Sequence, residues 1–251
     1  MMPGYDEALC QLADTCSGVF MNVHPWHSQL MAGHWYSHLP VELQNSLLTM
    51  ARLRRLAPGH RLFQRGDPPC GLYAVLEGAV RVGAVNEQGK EALLSVIEAP
   101  HWFGEICLFD GQPRTHDAVS VGATTLLHLP QGTLLGFLEQ HPVHWRHLAL
   151  SMSHKLRLTF INLEHLSLLP APARVAHRLL LIARGYGDGE PVRTTLQLPQ
   201  EQLALMLSLS RQTTNQILKD LQAQGVLQLG YGEIDILDVE RLRTLARDPV
   251  G

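Results

Sequence analysis

The chain has 251 residues, 45% of them hydrophobic, and a formal charge of −3 at pH 7. That is apolar material for one large domain or two ordinary ones, and it excludes a chain disordered by composition. No run approaches the ~20 apolar residues that a membrane span needs, and the first residues lack the basic-then-apolar pattern of a secretory signal. Cys10, Cys16, Cys70 and Cys107 are scattered without a Cys-x-x-Cys pair. This argues against a structural zinc site or an iron–sulfur ligand run and fits reduced thiols in a cytoplasm.

Residues 1–34 read as a loosely packed arm, with a short helix over 6–13. His24, His27, His34 and His38 with Cys10 and Cys16 do not have the spacing of a compact metal site, so no metal is expected. From Leu39 to Leu56 the pattern is helical. Pro40 suits a first helical position, Leu43, Leu47 and Leu48 form the apolar face, and Pro58-Gly59 ends it. Short strands follow at 61–64, 72–76, 80–85, 92–97, 118–121 and 125–129. Gly66-Asp67, Glu77-Gly78, Gln88-Gly89 and Asp110-Gly111 punctuate them. Such a series predicts a sandwich or jelly roll. A short helix over 132–139 leads to a long one over 144–169.

In the long helix Leu148, Met152, Leu156, Thr159, Leu163 and Leu166 recur at spacings of four, four, three, four and three. That is a seam close to the a/d rhythm of a coiled coil. About 26 residues at ~1.5 Å each make a rod of roughly 39 Å. We read it as a dimer seam, with a buried core helix as the alternative.

After Pro170 and Pro172 come a helix over 173–184, a glycine-rich loop over 185–189 and a strand within 192–198. A helix opens at Pro199 and runs to about Leu207, a turn follows at Ser208-Leu209, and a second helix starts at Ser210 and stops before Gly225. A hairpin around Gly230-Tyr231-Gly232 and a helix capped by Asp238 close the chain. Two helices with a tight turn and then a hairpin make a winged helix-turn-helix pattern, which implies double-stranded DNA as a partner. Leu203, Ala204 and Leu207 would pack on Ile217, Leu218 and Leu221. Arg211, Gln212, Thr214, Asn215 and Gln216 would then be exposed to base edges, with Ser210 and Thr213 at phosphate. From Ala171 onward nine Lys/Arg balance nine Asp/Glu. There is no overall basic footprint, and a helical bundle with a polar surface helix is the competing reading.

The segment from His101 to Thr115 carries other chemistry. Gly104-Glu105 presents a backbone N–H and a carboxylate. Arg114 and Thr115 suit a phosphate, the Arg by its fork and the Thr by its hydroxyl. A Glu–Arg pair in a loop is also often a plain salt bridge.

Phe103-Gly104-Glu105, eight residues, then Arg114-Thr115 resembles the phosphate-binding cassette of cyclic-nucleotide-binding domains. With the long helix and the run Ser210-Arg211-Gln212-Thr213-Thr214-Asn215-Gln216, residues 36–247 resemble the cyclic-AMP receptor protein/FNR family of bacterial transcription regulators. The resemblance implies an α+β architecture. An arm (1–34) would precede a ligand-sensing β-roll of jelly-roll type (35–140). A dimerisation helix (141–169) and a winged helix-turn-helix domain (170–251) would follow. It implies a cytoplasmic homodimer, not an enzyme, that senses cyclic AMP or cyclic GMP, binds palindromic DNA and works with RNA polymerase. Gly104 and Glu105 would hold the ribose, Arg114 and Thr115 the cyclic phosphate, and Thr159 would face the base.

The sequence departs from the family pattern in places. His116 follows the Arg-Thr pair where a small residue is usual. Phe160 stands where a second hydroxyl would follow Thr159. Gln212 and Gln216 replace a Glu and an Arg in the reading helix, and Ser208 stands where the turn often has Gly. Two other readings stay open. The same DNA-binding regulator could sense haem, a metal or redox state through His24, His27, His101, Cys107, His116 or His154, or be ligand-independent. A jelly-roll metalloenzyme is the remote alternative, since no His-x-His occurs within 58–130.

Overall fold

A computed structural model of the chain describes residues 26–185 and 192–247. They fall into two compact units, one formed by 26–81 with 96–148, the other by 82–95 with the described residues from 149 onward. The expected helix at 6–13 lies outside the described residues. No helix among them is long and apolar enough to cross a membrane.

In the first unit two short helices, α1 (His27–Leu30) and α2 (His34–Ser37), precede α3 (Val41–Met50). Leu30 and Tyr36 are completely buried, and the Tyr36 ring stacks on Trp102 at 5.8 Å. From Trp26 on, then, the segment expected as loose packs into the core. Two aromatic rings and a leucine supply the burial energy, about 2 kcal/mol for each large apolar side chain.

The expected helix from Leu39 to Leu56 stops early. Pro40 directly precedes α3, and the chain then turns extended into β1 (Arg52–Leu56), which pairs antiparallel with β6 (Asp117–Pro130). Arg and Leu favour helix locally, but a partner strand running from His128 back to Thr124 overrides propensity.

The sheet also contains β2 (Arg61–Phe63), β3 (Gly71–Val85), β4 (Glu91–Glu98) and β5 (Trp102–Phe103), in the order β1-β6-β3-β4, with β2 on β6 and β5 on β3. Two pairs of expected short strands are single long ones. The 72–76 and 80–85 segments are both β3, and 118–121 and 125–129 are both β6. The glycines between them do not turn the chain. A Cβ on Gly78 would lie 2.5 Å from the Ala123 carbonyl oxygen. This glycine therefore permits two strands to approach rather than a reversal.

Helix α4 (Ile106–Asp110) lies between β5 and β6, and α5 (Gln131–Gln140) follows β6. Alternate residues of β3 (Leu72, Ala74, Leu76) and of β6 (Leu127, Leu129) point into one core with Leu43 and Leu47 of α3 and Leu134 and Leu138 of α5. Tyr73, Val75 and Leu126, on the opposite face, are buried as well, so both faces are covered here, one of them by helices whose leucines follow the 3.6-residue period.

The long helix α6 (Trp145–Leu168) carries on through Leu169-Pro170 to α7 (Ala171–Ala183). Leu148 is buried in the first unit's core. The second unit adds β7 (Thr195–Gln197), α8 (Gln200–Leu207), α9 (Arg211–Ala223), β8 (Leu227–Leu229), β9 (Glu233–Ile236) and α10 (Val239–Leu245). Strand β9 pairs antiparallel with both β7 and β8. Ser210 caps α9 by accepting from the Thr213 backbone N–H at 3.0 Å, and Asp238 caps α10 by accepting from that of Arg241 at 2.8 Å. Each satisfies a donor that the helix itself cannot.

Candidate functional site

Strand β5 delivers Gly104 and Glu105 to the start of α4, and the chain returns at Arg114 just before β6. The turn ahead of β3 holds Arg114 by its backbone. Arg114 N–H donates to the Asp67 carbonyl and the Gly66 N–H donates to the Arg114 carbonyl, both at 2.8 Å. The Asp117 carboxylate accepts from Arg65 N–H at 2.8 Å, which ties the same two segments a second time.

Glu105 is 5% exposed and Arg114 3%. The Arg114 guanidinium points inward. Nη1 donates to the Gly104 carbonyl at 2.9 Å, and Nη2 donates to the Gly71 carbonyl at 2.5 Å and to Cys70 Sγ at 3.1 Å. Cys107 Sγ lies 3.7 Å from Nη1. The cation rests 4.3 Å above the centre of the Phe63 ring, a favourable place for a charge with no bulk water around it. Its Nε has no partner among the described residues.

Gly104 sits at φ +94°, and a Cβ there would lie 2.9 Å from Arg114 Nη1. Any other residue would push the guanidinium away and strain its own backbone. Thr115 is exposed, and its Oγ1 meets His116 Nδ1 at 3.0 Å. Burial, and secondarily the Arg65 charge, hold the His116 imidazole below its usual range. Thr159 is exposed on α6, and its hydroxyl donates to the Lys155 carbonyl at 2.9 Å.

Several partners of Arg114 were not legible as a site. Cys70 and Gly71 lie 43 and more residues upstream, and Phe63 and Tyr73 are strand residues chosen by the fold. Tyr73 stacks on His128 at 4.5 Å, and its hydroxyl contacts Cys70 Sγ at 3.1 Å. Burial pushes the Tyr73 hydroxyl well up and raises the Cys107 thiol, so both stay protonated at neutral pH. The one sequence signal pointing here is the Pro68-Pro69-Cys70-Gly71 turn that opens β3.

In the second unit α8, Ser208-Leu209 and α9 form the two-helix element. Leu203, Ala204, Leu207, Ile217, Leu218 and Leu221 are all buried, the packing expected between the helices. Ser208 takes a left-handed conformation, φ 53°, at the turn. Arg211, Gln212 and Thr213 are exposed at the start of α9, and Ser210 Oγ meets Thr213 Oγ1 at 2.8 Å. The exposed Arg211 fork pairs with the Glu201 carboxylate. Asn215 donates from its side chain to Gln200 Oε1 at 2.8 Å, and Gln216 donates to Asp220 Oδ1 at 2.8 Å.

Thr214 departs from expectation. It is fully buried, and its Oγ1 has no partner among the described residues. Positions 214, 217, 218 and 221 recur at helical spacing on one side of α9, so Thr214 belongs to the inner face and is withdrawn as a base contact. Tyr231 stands fully exposed between β8 and β9, at the tip of the wing.

Among the described residues no three His, Cys, Asp or Glu side chains converge as a metal-binding set; His24 lies outside them. Met152 is half-buried, while Leu156, Leu163 and Leu166 are 52%, 59% and 38% exposed and Phe160 62%. An apolar stripe thus runs along α6 beyond the buried Leu148.

An antiparallel sheet domain with a buried Glu and Arg beside Gly104, a long helix and a winged helix-turn-helix define a ligand-binding DNA-binding regulator. The model of the cyclic nucleotide-binding domain matches residues 53–141, and that of the Crp-like helix-turn-helix domain matches residues 173–245. A CRP-like cAMP-activated global transcriptional regulator of Mycobacterium tuberculosis is 32% identical over 191 residues, 75% of this chain and 85% of that protein. The cyclic AMP receptor protein of Thermus thermophilus is 32% identical over 195 residues, 77% of this chain and 88% of that one. The chain belongs to the cyclic-AMP receptor protein/FNR family of transcription regulators. These relatives are regulators and not enzymes. Among solved structures, a CRP/FNR-family regulator from Thermus thermophilus is 28% identical with a TM-score of 0.62, covering 77% of this chain and 97% of that one. FixK2 from Bradyrhizobium japonicum has a TM-score of 0.70 at 21% identity, covering 80% of this chain and 98% of that one, and supports the fold alone.

Proposed function

We propose that the chain is a cytoplasmic homodimer that senses a cyclic nucleotide and binds a palindromic operator. In this reading 35–140 sense the ligand, 141–169 pair the protomers and 170–251 bind DNA. The residues fit the ligand. Glu105 supplies a buried carboxylate for a sugar hydroxyl, and Gly104 leaves its backbone bare beside it. Arg114 supplies a buried cation for the cyclic phosphate, with Thr115 adjacent. Thr159 would reach the base, with cyclic AMP the first candidate because both 32%-identical relatives are described as cyclic-AMP proteins. The observation that carries the reading is the burial of Arg114 at Gly104, with Nε left without a partner. In the protein as described the fork is held by two peptide carbonyls, so a phosphate must take their place.

The stripe of Leu156, Phe160 and Leu163 supports pairing through α6, since an exposed apolar seam at coiled-coil spacing is stabilised by burial against its copy. Two-fold symmetry then sets half-sites about 34–36 Å apart. Ser210, Arg211, Gln212, Asn215 and Gln216 are the residues proposed at DNA, with RNA polymerase as the downstream partner. Titration calorimetry with cyclic AMP and with cyclic GMP tests the sensor. Saturable heat from one of them, lost in Arg114→Ala while the dimer stays intact, is the expected result. No heat from either nucleotide at millimolar concentration, with folded protein, rejects it.

A further inference from the structure

The corner between α6 and α7 gathers cations that the reading above leaves unused. Asn162 and His165 near the end of α6 and Arg174, His177 and Arg178 of α7 line one recess, closed by leucines of α6 and α8. The His165 and His177 rings stand edge to face with centroids 3.8 Å apart. Arg178 is buried, and its Nε has no hydrogen-bond partner among the described residues. The same is true of Arg174 Nε and His165 Nδ1. No carboxylate lines the recess. A buried guanidinium nitrogen with no acceptor among the described residues is an unfavourable arrangement unless something supplies one. The recess is partly open and small, with room for one small ion and not for a nucleoside.

We propose that this recess is a binding site for a single inorganic oxyanion of the phosphate class, held by Arg174 and Arg178 with His165 and His177 as further donors. Guanidinium forks match tetrahedral oxyanions, and an Asn amide adds a neutral donor. The charge balance points the same way. Burial, then the charges of His165, Arg178 and Arg184, push the His177 imidazole down to about 4. Burial lowers His165 as well, with Glu164 opposing. From α8 the recess receives Leu207, which carries no charge. An anion reverses this repulsion, so it binds together with protons and more tightly as the pH falls. Since the site joins α6 to α7, the ion would brace the corner from which the reading head is carried. The inference is independent of the cyclic-nucleotide reading.

Histidine-ring NMR on the full chain tests it. The probe is inorganic phosphate against chloride at equal ionic strength, from pH 4 to 8. His165 and His177 should titrate roughly one unit higher in phosphate, the direction an adjacent anion imposes, while His128 should not move. Arg174→Gln, at a half-buried position, should abolish the difference with the fold retained. Superimposed curves in the two salts overturn the proposal, as does an Arg174→Gln protein that keeps the full shift. A shift that needs added duplex DNA would assign the recess to a backbone phosphate and also overturn a free-ion site.

Discussion

His128 contributes to the core with its ring, not its charge. It lies flat against Tyr73, and its Nε2–H donates to the Cys70 carbonyl at 2.8 Å, leaving Nδ1 unprotonated. Burial is the main cause that pushes its pKa down to about 4, helped by Arg54 and Arg114. In the unfolded chain it titrates near its ordinary 6.5, so between about 6.5 and about 4 the unfolded state binds the extra proton. Stability is therefore complete above pH 6.5 and falls as the pH drops through that window, by up to about 3 kcal/mol from this residue. Denaturant unfolding at pH 7.5 and 5.0 measures the slope, and His128→Gln should flatten it. Thr214 allows a second residue-scale test. Its unpartnered buried hydroxyl costs about 1–3 kcal/mol to desolvate. Thr214→Val should hold or raise the midpoint and leave DNA affinity unchanged; loss of affinity would return Thr214 to the interface. At this scale the motif was legible in Gly104, Glu105 and Arg114. The packing around Arg114 was not, because Cys70, Gly71 and Phe63 are brought there by strand pairing.

At the scale of elements the helix starts in the second unit were the most readable part. Ser210 and Asp238 stand at the N-caps where capping chemistry puts them, while Pro40 stands one residue ahead of the first helical position expected for it. Strand limits were less so. Glu77-Gly78 reads as a turn but lies within β3, since a glycine at a close strand approach and one at a reversal look alike in sequence, and the break expected between 121 and 125 lies within β6. Residues 52–56 read as helix because the pairing that makes them β1 is with residues more than 65 positions away. Ser208 is a local cost left in place, a non-glycine residue at φ 53° between α8 and α9. Ser208→Gly should stabilise the second unit by roughly 0.5–1 kcal/mol, read as a higher unfolding midpoint. No gain would mean that the serine side chain makes up the strain.

For the whole molecule the order of motifs predicted the family correctly, since sheet, long helix and winged head occur once each and in sequence. The packing of Leu148 into its own chain was not legible, because a seam leucine and a core leucine share one helical spacing. The exposed remainder of the stripe is the surface on which the proposed pairing rests. Leu156→Lys with Leu163→Lys should convert a dimer to a monomer in sedimentation equilibrium while the far-UV spectrum stays helical. A dimer that survives both would place the interface elsewhere than α6.

The pairing of Arg211 with Glu201 bears on how such a head searches a genome. A guanidinium that meets a carboxylate at the surface must give up that pair, worth at most about 1 kcal/mol, to take a passing phosphodiester. It gains more where a guanine edge offers two acceptors in register. The acid on α8 would thus act as a reference against which every sequence is compared, damping idle adhesion and sharpening the contrast between the right address and the wrong one.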